Sequence, residues 1–474
     1  MRTSARSGLD AARDVGPAIE TGGVTLPGHV VVLIAALSAG VVAQGGYYPA
    51  GRALVTVLVA VALVVAVWLR PRVRRDAWPV VAACAALAGW ILVRAIVADA
   101  YPVAIGAVAT LGGVAAVVLI LVRTTPAERE RCVEALLGLG VLVAVTAWIG
   151  VAGRVSRFAE LVEGRLWRGS STLTYPNAAA ALLAPLALLA IALLLARPRS
   201  LVRTGAAYLL LVGVGAALSR AGLIALVAGL VVLAVLHGPW RTIVRVGPLI
   251  LGAGVAVVAL VPSTPATGQP QPALATVGLL AGAVIVFGSV LSSARARAGA
   301  MLVALLAGGL TLLSQWNSEY LRAVLASRGN FSSPGRSGAA TAAFDLVAAN
   351  PWFGTGLGQA RFVWLTSDGN GALALYAHNE YLQLLVDLGV VGGVALLALF
   401  AAMALAVRRG GVDPHRAGIR AGALAALTAF AVHSGFDFLW HIAVLPLVGA
   451  LLVGLAAPAT GEIQPGTTVV EEKE

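Results

Sequence analysis

His378 stands where a polar segment meets a long apolar run, and its neighbours have side chains that support proton transfer. The run YAHNEYLQLLVDLGVVGG contains Asn379, a residue type that commonly caps a helix N-terminus. Glu380, Gln383 and Asp387 follow at spacings that place them on one face of that helix. An imidazole, with an ordinary pKa of about 6.5, accepts a proton from a hydroxyl at neutral pH. We therefore predict a catalytic role for His378, the alternative being a structural histidine, and supporting roles for Asn379, Glu380 and Asp387.

Two arginines lie in positions that suit a phosphate group. Arg220 sits in GAALSRAGLIALVAG, between two apolar runs, and a charge near membrane depth usually faces a cavity or a partner. Arg336 precedes SGAATAAFDLVAAN, which has helical composition with Ser337 as its N-cap, and helix N-termini attract anions. The guanidinium fork matches phosphate and diphosphate. We predict a ligand role for both arginines. The alternatives are an arginine that snorkels to the interface for Arg220 and a simple loop arginine for Arg336.

A glycine-rich turn and a helix start extend the polar region. The GTGLG motif (Gly354, Gly356 and Gly358) lacks the preceding strand of a nucleotide-binding loop. We interpret it as a tight turn that lets the backbone approach substrate or a neighbouring helix. Pro176 and Asn177 open another apolar run, where proline is ordinary. Asn177, just inside the membrane, is predicted to line the same cavity.

A second polar group lies near the end of the chain. It consists of His433, Asp437 and His441, in and beside the turn HSGFDFLWH. Together with His378 these residue types could bind a metal, but their spacing matches no recognised ligand motif. We predict a supporting or structural role for the group, and no metal site.

The elements that must position these residues are membrane-spanning helices. The chain of 474 residues is 59% hydrophobic and 11% charged, with a mean hydropathy of +0.92, whereas soluble domains carry about a quarter charged residues. Because lipid cannot satisfy open backbone groups, such a chain is nearly all helix. The net charge of +12 does not indicate nucleic-acid binding, since the arginines are spread over short loops. Cys84 and Cys132 fit neither a disulfide framework nor a metal spacing.

Apolar runs of about 17–25 residues, bounded by charges or turn residues, predict about fourteen spans. They fall at 28–44, 52–69, 78–97, 102–122, 133–151, 176–196, 203–219, 221–236, 245–261, 273–292, 297–314, 382–407, 418–434 and 440–457. We predict an all-α polytopic membrane protein with about 12–14 transmembrane helices. Its predicted regions are disordered cytoplasmic tails at 1–27 and 458–474, transmembrane helices at 28–314 and 382–457, and an extracytoplasmic catalytic loop at 315–381.

The placement of arginine predicts the orientation. With the N-terminus in the cytoplasm, most arginines lie in inner loops, as the positive-inside rule requires. A surplus nonetheless falls on the predicted outer side, which suggests an anionic ligand there. For Arg154 and Arg157 we prefer pairing with lipid headgroups or nearby glutamates. Arg168, in LWRGSSTL, is a possible supporting residue of the site.

Taken together, Arg336, PWFGTGLG and HNEYLQLLVDLGVVGG resemble the signature of the O-antigen ligase and polymerase superfamily, bacterial polytopic glycosyltransferases. LWRGSSTLTYPNAAAALL is similar to the family's Pro–Asn segment, and LSRAGLIAL to its Ser–Arg element. The resemblance covers residues 165–393, in the family's order. The chain departs from the family in having more predicted spans than is usual, and in Asp387, where many members have Glu.

The resemblance implies a GT-C-like helical membrane fold with a large extracytoplasmic loop before the last spans. It implies transfer of a glycan from an undecaprenyl-diphosphate carrier to an acceptor hydroxyl, without a metal or other cofactor. Arg220 and Arg336 would hold the diphosphate, and His378 would act as base or position the acceptor. The expected partners are the lipid-linked donor, a glycan, lipid or protein acceptor, and membrane lipids, but no nucleic acid. The expected setting is the plasma membrane, in cell-surface polysaccharide assembly.

Several alternatives stay open. A polymerase or a protein O-oligosaccharyltransferase of the same superfamily would differ only in its acceptor. A transporter or lipid flippase would have broken helices or ionisable residues near the bilayer midplane, and an internal repeat. The sequence shows no clear repeat, and most charges lie at the span ends. A scaffolding membrane protein would need neither His378 nor the outer arginines.

Overall fold

A computed structural model describes residues 26–71, 77–173, 175–197, 200–291, 334–366, 369–408 and 417–459, together with isolated positions between 293 and 322. The predicted span at 297–314, most of both predicted tails and the first part of the predicted loop at 315–381 lie outside the described residues. The described residues fold into fourteen α-helices and two short β-hairpins.

The helices are numbered in chain order. They are α1 (Gly28–Val42), α2 (Pro49–Leu69), α3 (Trp78–Ala98), α4 (Tyr101–Leu121), α5 (Pro126–Ala152), α6 (Pro176–Ala196), α7 (Leu201–Ala216), α8 (Arg220–His237), α9 (Pro239–Leu260), α10 (Pro272–Leu291), α11 (Pro334–Ala349), α12 (Glu380–Arg408), α13 (Ala417–Ser434) and α14 (Val444–Ala456). The two hairpins are antiparallel, and pair β1 (Ala159–Val162) with β2 (Leu166–Gly169) and β3 (Phe362–Leu365) with β4 (Gly371–Ala374).

Among the described helices, ten are long and apolar enough to cross a membrane, namely α2–α6, α8–α10, α12 and α13. The apolar helices α1, α7 and α14 are shorter. Each predicted span within the described residues coincides with one of these thirteen, so the all-α polytopic fold is confirmed. The short break before Arg220 is also real. Leu218 adopts a positive φ of 46°, and Ser219 Oγ accepts the N–H of Gly222 at 3.1 Å to begin α8.

Local sequence explains where the helices begin. Proline occupies the first turn of α2 to α6 and of α9, where its missing N–H leaves no bond unmade. At α5, Thr125 Oγ1 accepts the N–H of Glu128 at 3.4 Å, and Glu128 Oε2 accepts the N–H of Thr125 at 2.8 Å. This capping box satisfies donors that the helix leaves without partners.

The two ends of the bundle differ in character. At one end, Arg70 binds both carboxylate oxygens of Glu128 at 2.7 and 2.6 Å, and Arg203 Nη2 binds Glu130 at 2.8 Å. The other end carries both β-hairpins and the turns that precede α6 and α12. The described parts of the arginine-rich loops thus lie at one end of the bundle, and the described hairpins lie at the other.

Helix α6 forms the centre of the bundle and is almost entirely buried. It packs against α7, α8 and α13, and its many alanines allow close approach, as is usual between membrane helices. Gly222 of α8 lies so close to α6 that an added Cβ would come within 2.7 Å of the Ala180 Cβ. Because α6 begins at Pro176, its central position carries Asn177 to the middle of the hairpin-bearing end.

Helix α12 is broken at Gly389, whose φ of 66° and ψ of −167° suit only glycine. The GTGLG turn fits into this break. The N–H of Thr355 donates to the carbonyl of Val386 at 2.7 Å, and the N–H of Val390 donates to Pro351 at 2.8 Å. The interpretation of GTGLG as a turn that approaches a neighbouring helix is confirmed, and the turn fixes the segment that follows His378.

Candidate functional site

The carboxylate of Asp437 is the centre of the polar cluster at the hairpin-bearing end. It lies in the turn between α13 and α14 and is completely buried. Its Oδ1 lies 3.0 Å from His378 Nδ1, and its Oδ2 accepts Arg336 Nη2 at 3.2 Å and the Tyr175 hydroxyl at 2.7 Å. Asn177 Nδ2 also donates to Oδ2. Three distant chain segments therefore meet at one carboxyl group.

The surroundings of Asp437 keep it ionised. Burial opposes the charge, but the hydrogen bond from His378, the positive charge of Arg336 and the Tyr175 hydroxyl together lower the pKa of Asp437 to about 2. Burial and the neighbouring Asp437 raise the pKa of Tyr175 well above its usual value, so the phenol stays a hydrogen-bond donor. A permanent negative charge thus sits behind both His378 and Arg336.

This arrangement sets the chemistry available to His378. An ionised carboxylate only accepts hydrogen bonds, so Nδ1 of the imidazole carries the proton. Nε2 is then the basic nitrogen, and the side chain remains 27% exposed. The residue has a positive φ of 52°, an uncommon conformation for a residue other than glycine. A histidine oriented by a buried carboxylate, with its second nitrogen available, can accept a proton from a hydroxyl group.

The backbone around His378 is fixed on both sides. Asn379 Oδ1 accepts the N–H of Leu382 at 3.1 Å, as the predicted N-cap should. Gln383 Oε1 accepts the N–H of Ala377 at 2.9 Å. Together these bonds hold the turn before α12 in the conformation that carries His378 to Asp437.

Arg336 lies in the first turn of α11, which begins at Pro334, so the predicted N-cap Ser337 is wrong and lies inside the helix. Its side chain pairs with Asp437 and remains 33% exposed. The ion pair holds the guanidinium beside His378, because both bind the same carboxylate. A partly exposed arginine in this place can bind an anionic group that lies next to the imidazole.

Arg168 and Asn177 are buried and form a chain of hydrogen bonds that ends at the carboxylate of Asp437. Arg168 Nη2 donates to Asn177 Oδ1 at 2.7 Å, and its Nε donates to the carbonyl of Ala217 at 3.0 Å. Asn177 is thereby oriented so that its amide nitrogen faces Asp437. Arg168 thus reaches the carboxylate cluster through Asn177, and its bond to Ala217 connects β2 to the end of α7.

Arg220 lies on the neighbouring element. It is the first residue of α8, directly after the Ser219 cap and three positions beyond Ala217. Since the first turn of α8 packs against Ala180 of α6, Arg220 lies at the same end of the bundle as Asn177. The structure therefore brings His378, Arg336 and Asn177 together on one carboxylate and places Arg220 on an adjacent helix start.

Glu380 organises a second polar pair beside the first. It is buried, and its Oε1 accepts the backbone N–H of Trp440 and lies 3.4 Å from His441 Nδ1. Burial lowers the pKa of His441, but the charge of Glu380 and its hydrogen bond outweigh this, so the pKa is raised. This pair holds the turn that contains Asp437 against the first turn of α12.

Asp387 lies deeper on the same face of α12. It is buried, and its Oδ2 accepts Gln383 Nε2 at 3.1 Å. The carbonyl of Asp387 accepts the N–H of Gly356 at 3.0 Å, beside the break in the helix. The predicted common face of Glu380, Gln383 and Asp387 is confirmed, but Asp387 contacts the glycine turn rather than His378.

Stacked aromatic side chains surround the pair formed by His378 and Asp437. Phe438 lies between the rings of Tyr175 and Tyr376, with centroid distances of 5.0 and 4.5 Å and nearly parallel planes. The His378 ring meets Phe438 edge-on at 5.4 Å. These contacts limit the rotation of the imidazole and shield Asp437 from water.

Sequence reasoning gave Asp437 too small a role in the site and did not identify Tyr175 as one of its residues. Asp437 was expected only to support the site or the fold, yet it contacts His378 and Arg336 directly. An acidic residue between aromatic residues, directly after an apolar helix, is the signal that could have identified it. Within the described ranges, no three His, Cys, Asp or Glu side chains are grouped so that they could hold a metal. His433, the other histidine of the predicted group, is buried in the last turn of α13, four residues before Asp437.

Comparison with known proteins identifies the segment that carries much of this cluster. Residues 271–397 match the family model described as O-Antigen ligase, and this range includes Arg336, His378 and Gly389. Asp437, Asn177 and Arg220 lie outside the matched range. No curated protein matches the chain. The chain is a multi-pass helical membrane protein whose residues 271–397 are similar to the O-antigen ligase family, which confirms the resemblance drawn from Arg336, PWFGTGLG and HNEYLQLLVDLGVVGG.

Proposed function

We propose that this protein is a membrane glycosyltransferase that moves a glycan from an undecaprenyl-diphosphate carrier to an acceptor hydroxyl in cell-surface polysaccharide assembly. The observation that carries the proposal is the shared carboxylate of Asp437, which places an oriented histidine beside a partly exposed arginine. The histidine is the general base that such a transfer needs. The arginine is the cation that stabilises its leaving group.

The residues divide the reaction between them. The acceptor oxygen attacks the anomeric carbon of the donor glycan while its proton passes to His378 Nε2. The bond between that carbon and the diphosphate oxygen breaks, and the electron pair leaves with the lipid diphosphate. Arg336 stabilises the negative charge on the departing oxygens, and Arg220 binds the same diphosphate from the start of α8. Asp437 stabilises the imidazolium that forms.

We place this reaction on the extracytoplasmic face of the plasma membrane. The arginine-rich end of the bundle is then cytoplasmic, in accordance with the positive-inside rule. Nucleotide sugars are absent outside the cell, so a transferase there requires a membrane-borne donor. A lipid diphosphate supplies both the anion for the arginines and the membrane attachment.

The acceptor distinguishes the remaining alternatives. A ligase, a polymerase and a protein O-oligosaccharyltransferase would use the same pair, His378 and Asp437. They would differ in the acceptor, which would be a lipid, glycan or protein hydroxyl. The break in α12 is a feature also found in transporters. Here the freed backbone groups near Gly389 bind Pro351 and Thr355 of the same chain, which supports a structural role for the break rather than an ion-binding site.

The test uses the full chain in lipid nanodiscs, supplied with a lipid-diphosphate-linked glycan and candidate acceptors. We expect His378→Ala, Arg336→Ala and Arg220→Ala to lose transfer while remaining folded. Arg157→Ala, in an exposed turn, is the matched control and should retain transfer. Full activity in all three site variants would refute the proposed site. Passage of glycan lipid across a liposome bilayer without transfer to any acceptor would support the transporter instead.

A further inference from the structure

We propose that the β3–β4 hairpin is a membrane anchor. The face directed away from the protein, formed by Val363, Leu365, Leu373 and Leu375, lies at the boundary between headgroups and acyl chains of the adjacent leaflet. This inference concerns a lipid contact surface and does not depend on the proposed transfer reaction.

The inner face of the hairpin already has its partner within the protein. Phe362 is completely buried, and it pairs across the strands with Ala374. Trp364 lies against α11, where a Cβ added to Gly338 would come within 2.3 Å of the indole. The contacts of this face with α11 therefore fix which way the other face points.

The outer face is apolar and exposed. Val363 pairs with Leu373 across the two strands, so both lie on the same face. Val363, Leu365, Leu373 and Leu375 are 62%, 76%, 61% and 58% exposed. The solvated face of an antiparallel hairpin is normally polar, in alternation with an apolar inner face. Four aliphatic residues there indicate contact with an apolar medium.

The position of the hairpin identifies that medium as lipid. The segment leading to β3 rests on the facing ends of two predicted spans: Gln359 Nε2 donates to the carbonyl of Ala98 at 3.3 Å, and Gly358 approaches Val103. Trp352 and Phe353, in the preceding turn, are 64% and 57% exposed. Phe353 packs against Trp90 of α3, and the carbonyl of Trp352 accepts the N–H of Val391 of α12, so these exposed apolar side chains lie against predicted spans. The apolar face therefore continues the lipid-facing surface of α3 and α4.

The charge pattern sets the orientation of the hairpin. The strand sequences FVWL and GALA carry no charge, whereas the connecting segment TSDGN is polar. Arg361 Nη1, at the base, donates to the carbonyls of Gly358 and Ala360 at 2.9 and 2.8 Å. The hairpin thus lies along the membrane on its aliphatic face. Elements that lie in this way are buried about 5–10 Å into the boundary region.

An anchor at this point would set the depth of the site. His378 follows β4 closely in the chain, and Arg336 lies on α11, which packs on the inner face of the hairpin. Fixing the hairpin in the leaflet therefore fixes the height of both side chains relative to the headgroups. A lipid-borne phosphate would meet them without leaving the membrane surface.

Site-directed fluorescence in nanodiscs tests the proposal. The native Cys84 and Cys132 are buried, so single-cysteine positions can be labelled selectively with the environment-sensitive fluorophore NBD. Val363→Cys and Leu373→Cys probe the outer face. Glu163→Cys, in the exposed turn between β1 and β2, is the matched control at the same end of the bundle. Nitroxide groups near the top or the tail of the acyl chains act as quenchers.

We expect NBD at 363 and 373 to emit at shorter wavelength than at 163. We also expect most of its emission to be lost with the shallow nitroxide, and less with the deep one. Emission at 363 and 373 equal to that at 163 would show that the face lies in water and would overturn the proposal. A shift to shorter wavelength without nitroxide quenching would also overturn it, because the face would then be covered by protein.

Discussion

Asp437 and His378 are joined at 3.0 Å between Oδ1 and Nδ1, although they lie 59 positions apart in the chain. His378 precedes α12 and Asp437 follows α13, so the contact joins the segments next to these two helices. The same carboxylate holds Arg336, so a single group positions both the imidazole and the guanidinium. Sequence motifs that carry His378 and Arg336 alone therefore describe only part of this polar cluster.

Asp437→Asn tests this dependence directly. The amide keeps the volume but removes the charge that fixes the histidine tautomer and pairs with Arg336. General-base catalysis contributes about 10²–10⁴-fold to a rate, so we expect a loss of that order in glycan transfer. Asp345→Asn, on an exposed position of α11, should leave the rate unchanged. A folded Asp437→Asn protein with more than about half of the normal rate would contradict the role assigned to the carboxylate.

The lowered pKa of Asp437 predicts a specific acid sensitivity. The folded value of about 2 lies below the reference value of 3.8, so the ionised group stabilises the folded state above about pH 4. That stabilisation, on the order of 2 kcal/mol, is lost as pH falls from 4 through 2. We therefore expect the difference in thermal stability between the normal protein and Asp437→Asn to shrink as pH falls from 6 to 3. A difference that is constant over this range would show that the group is not ionised in the fold.

Gly389→Ala should disrupt the break in α12. The residue has a φ of 66° and a ψ of −167°, and an added Cβ would lie 2.3 Å from the carbonyl oxygen of Trp352. The conformation alone costs a non-glycine residue about 1–3 kcal/mol. We expect a lower melting temperature and loss of glycan transfer, because the segment after His378 would shift.

Gly89→Ala provides the control for that substitution. Gly89 lies within the helix α3, and an added Cβ would meet no atom within 4 Å. Alanine is the better helix former by about 1 kcal/mol, so the melting temperature should stay the same or rise. Equal melting temperatures for both variants would show that the break does not require glycine.

The membrane architecture could be predicted because it follows from apolar run length and composition. Each helix boundary near a proline or a capping residue carries a local signal, as at Thr125 and Ser219. The polar site could be predicted only in part. His378 and Arg336 lie near helix starts with recognisable motifs, whereas their relation to Asp437 depends on packing between distant helices. No local pattern in HSGFDFLWH states that its acid meets both of them.

The role of the helix break shows the same limit. The sequence GTGLG predicted a turn that approaches a helix, but not which helix. The partner depends on a pair of complementary features, the freed carbonyls of α12 before Gly389 and the N–H groups of Thr355 and Gly356. These features are far apart in the chain, so their match becomes visible only in three dimensions.

Glu380→Gln should change the titration of His441. The pKa of His441 is raised because the charge of Glu380 outweighs the opposing effect of burial. With the charge removed, we expect the pKa of His441 to fall. The chain has six histidines, so selective isotope labelling, with His441→Gln for assignment, allows this titration to be followed by NMR.

The same pair gives a stability prediction with the opposite sign to that of Asp437. A folded pKa above the unfolded value stabilises the protein below about pH 6.5, and the contribution is lost as pH rises through the folded pKa. We therefore expect Glu380→Gln to destabilise the protein more at pH 6 than at pH 8. At pH 6 the imidazole of His441 is charged, and the substitution removes its carboxylate partner. An unchanged His441 titration in this variant would show that Glu380 is not its partner. Equal destabilisation at both pH values would show that the contact does not involve a charged imidazole.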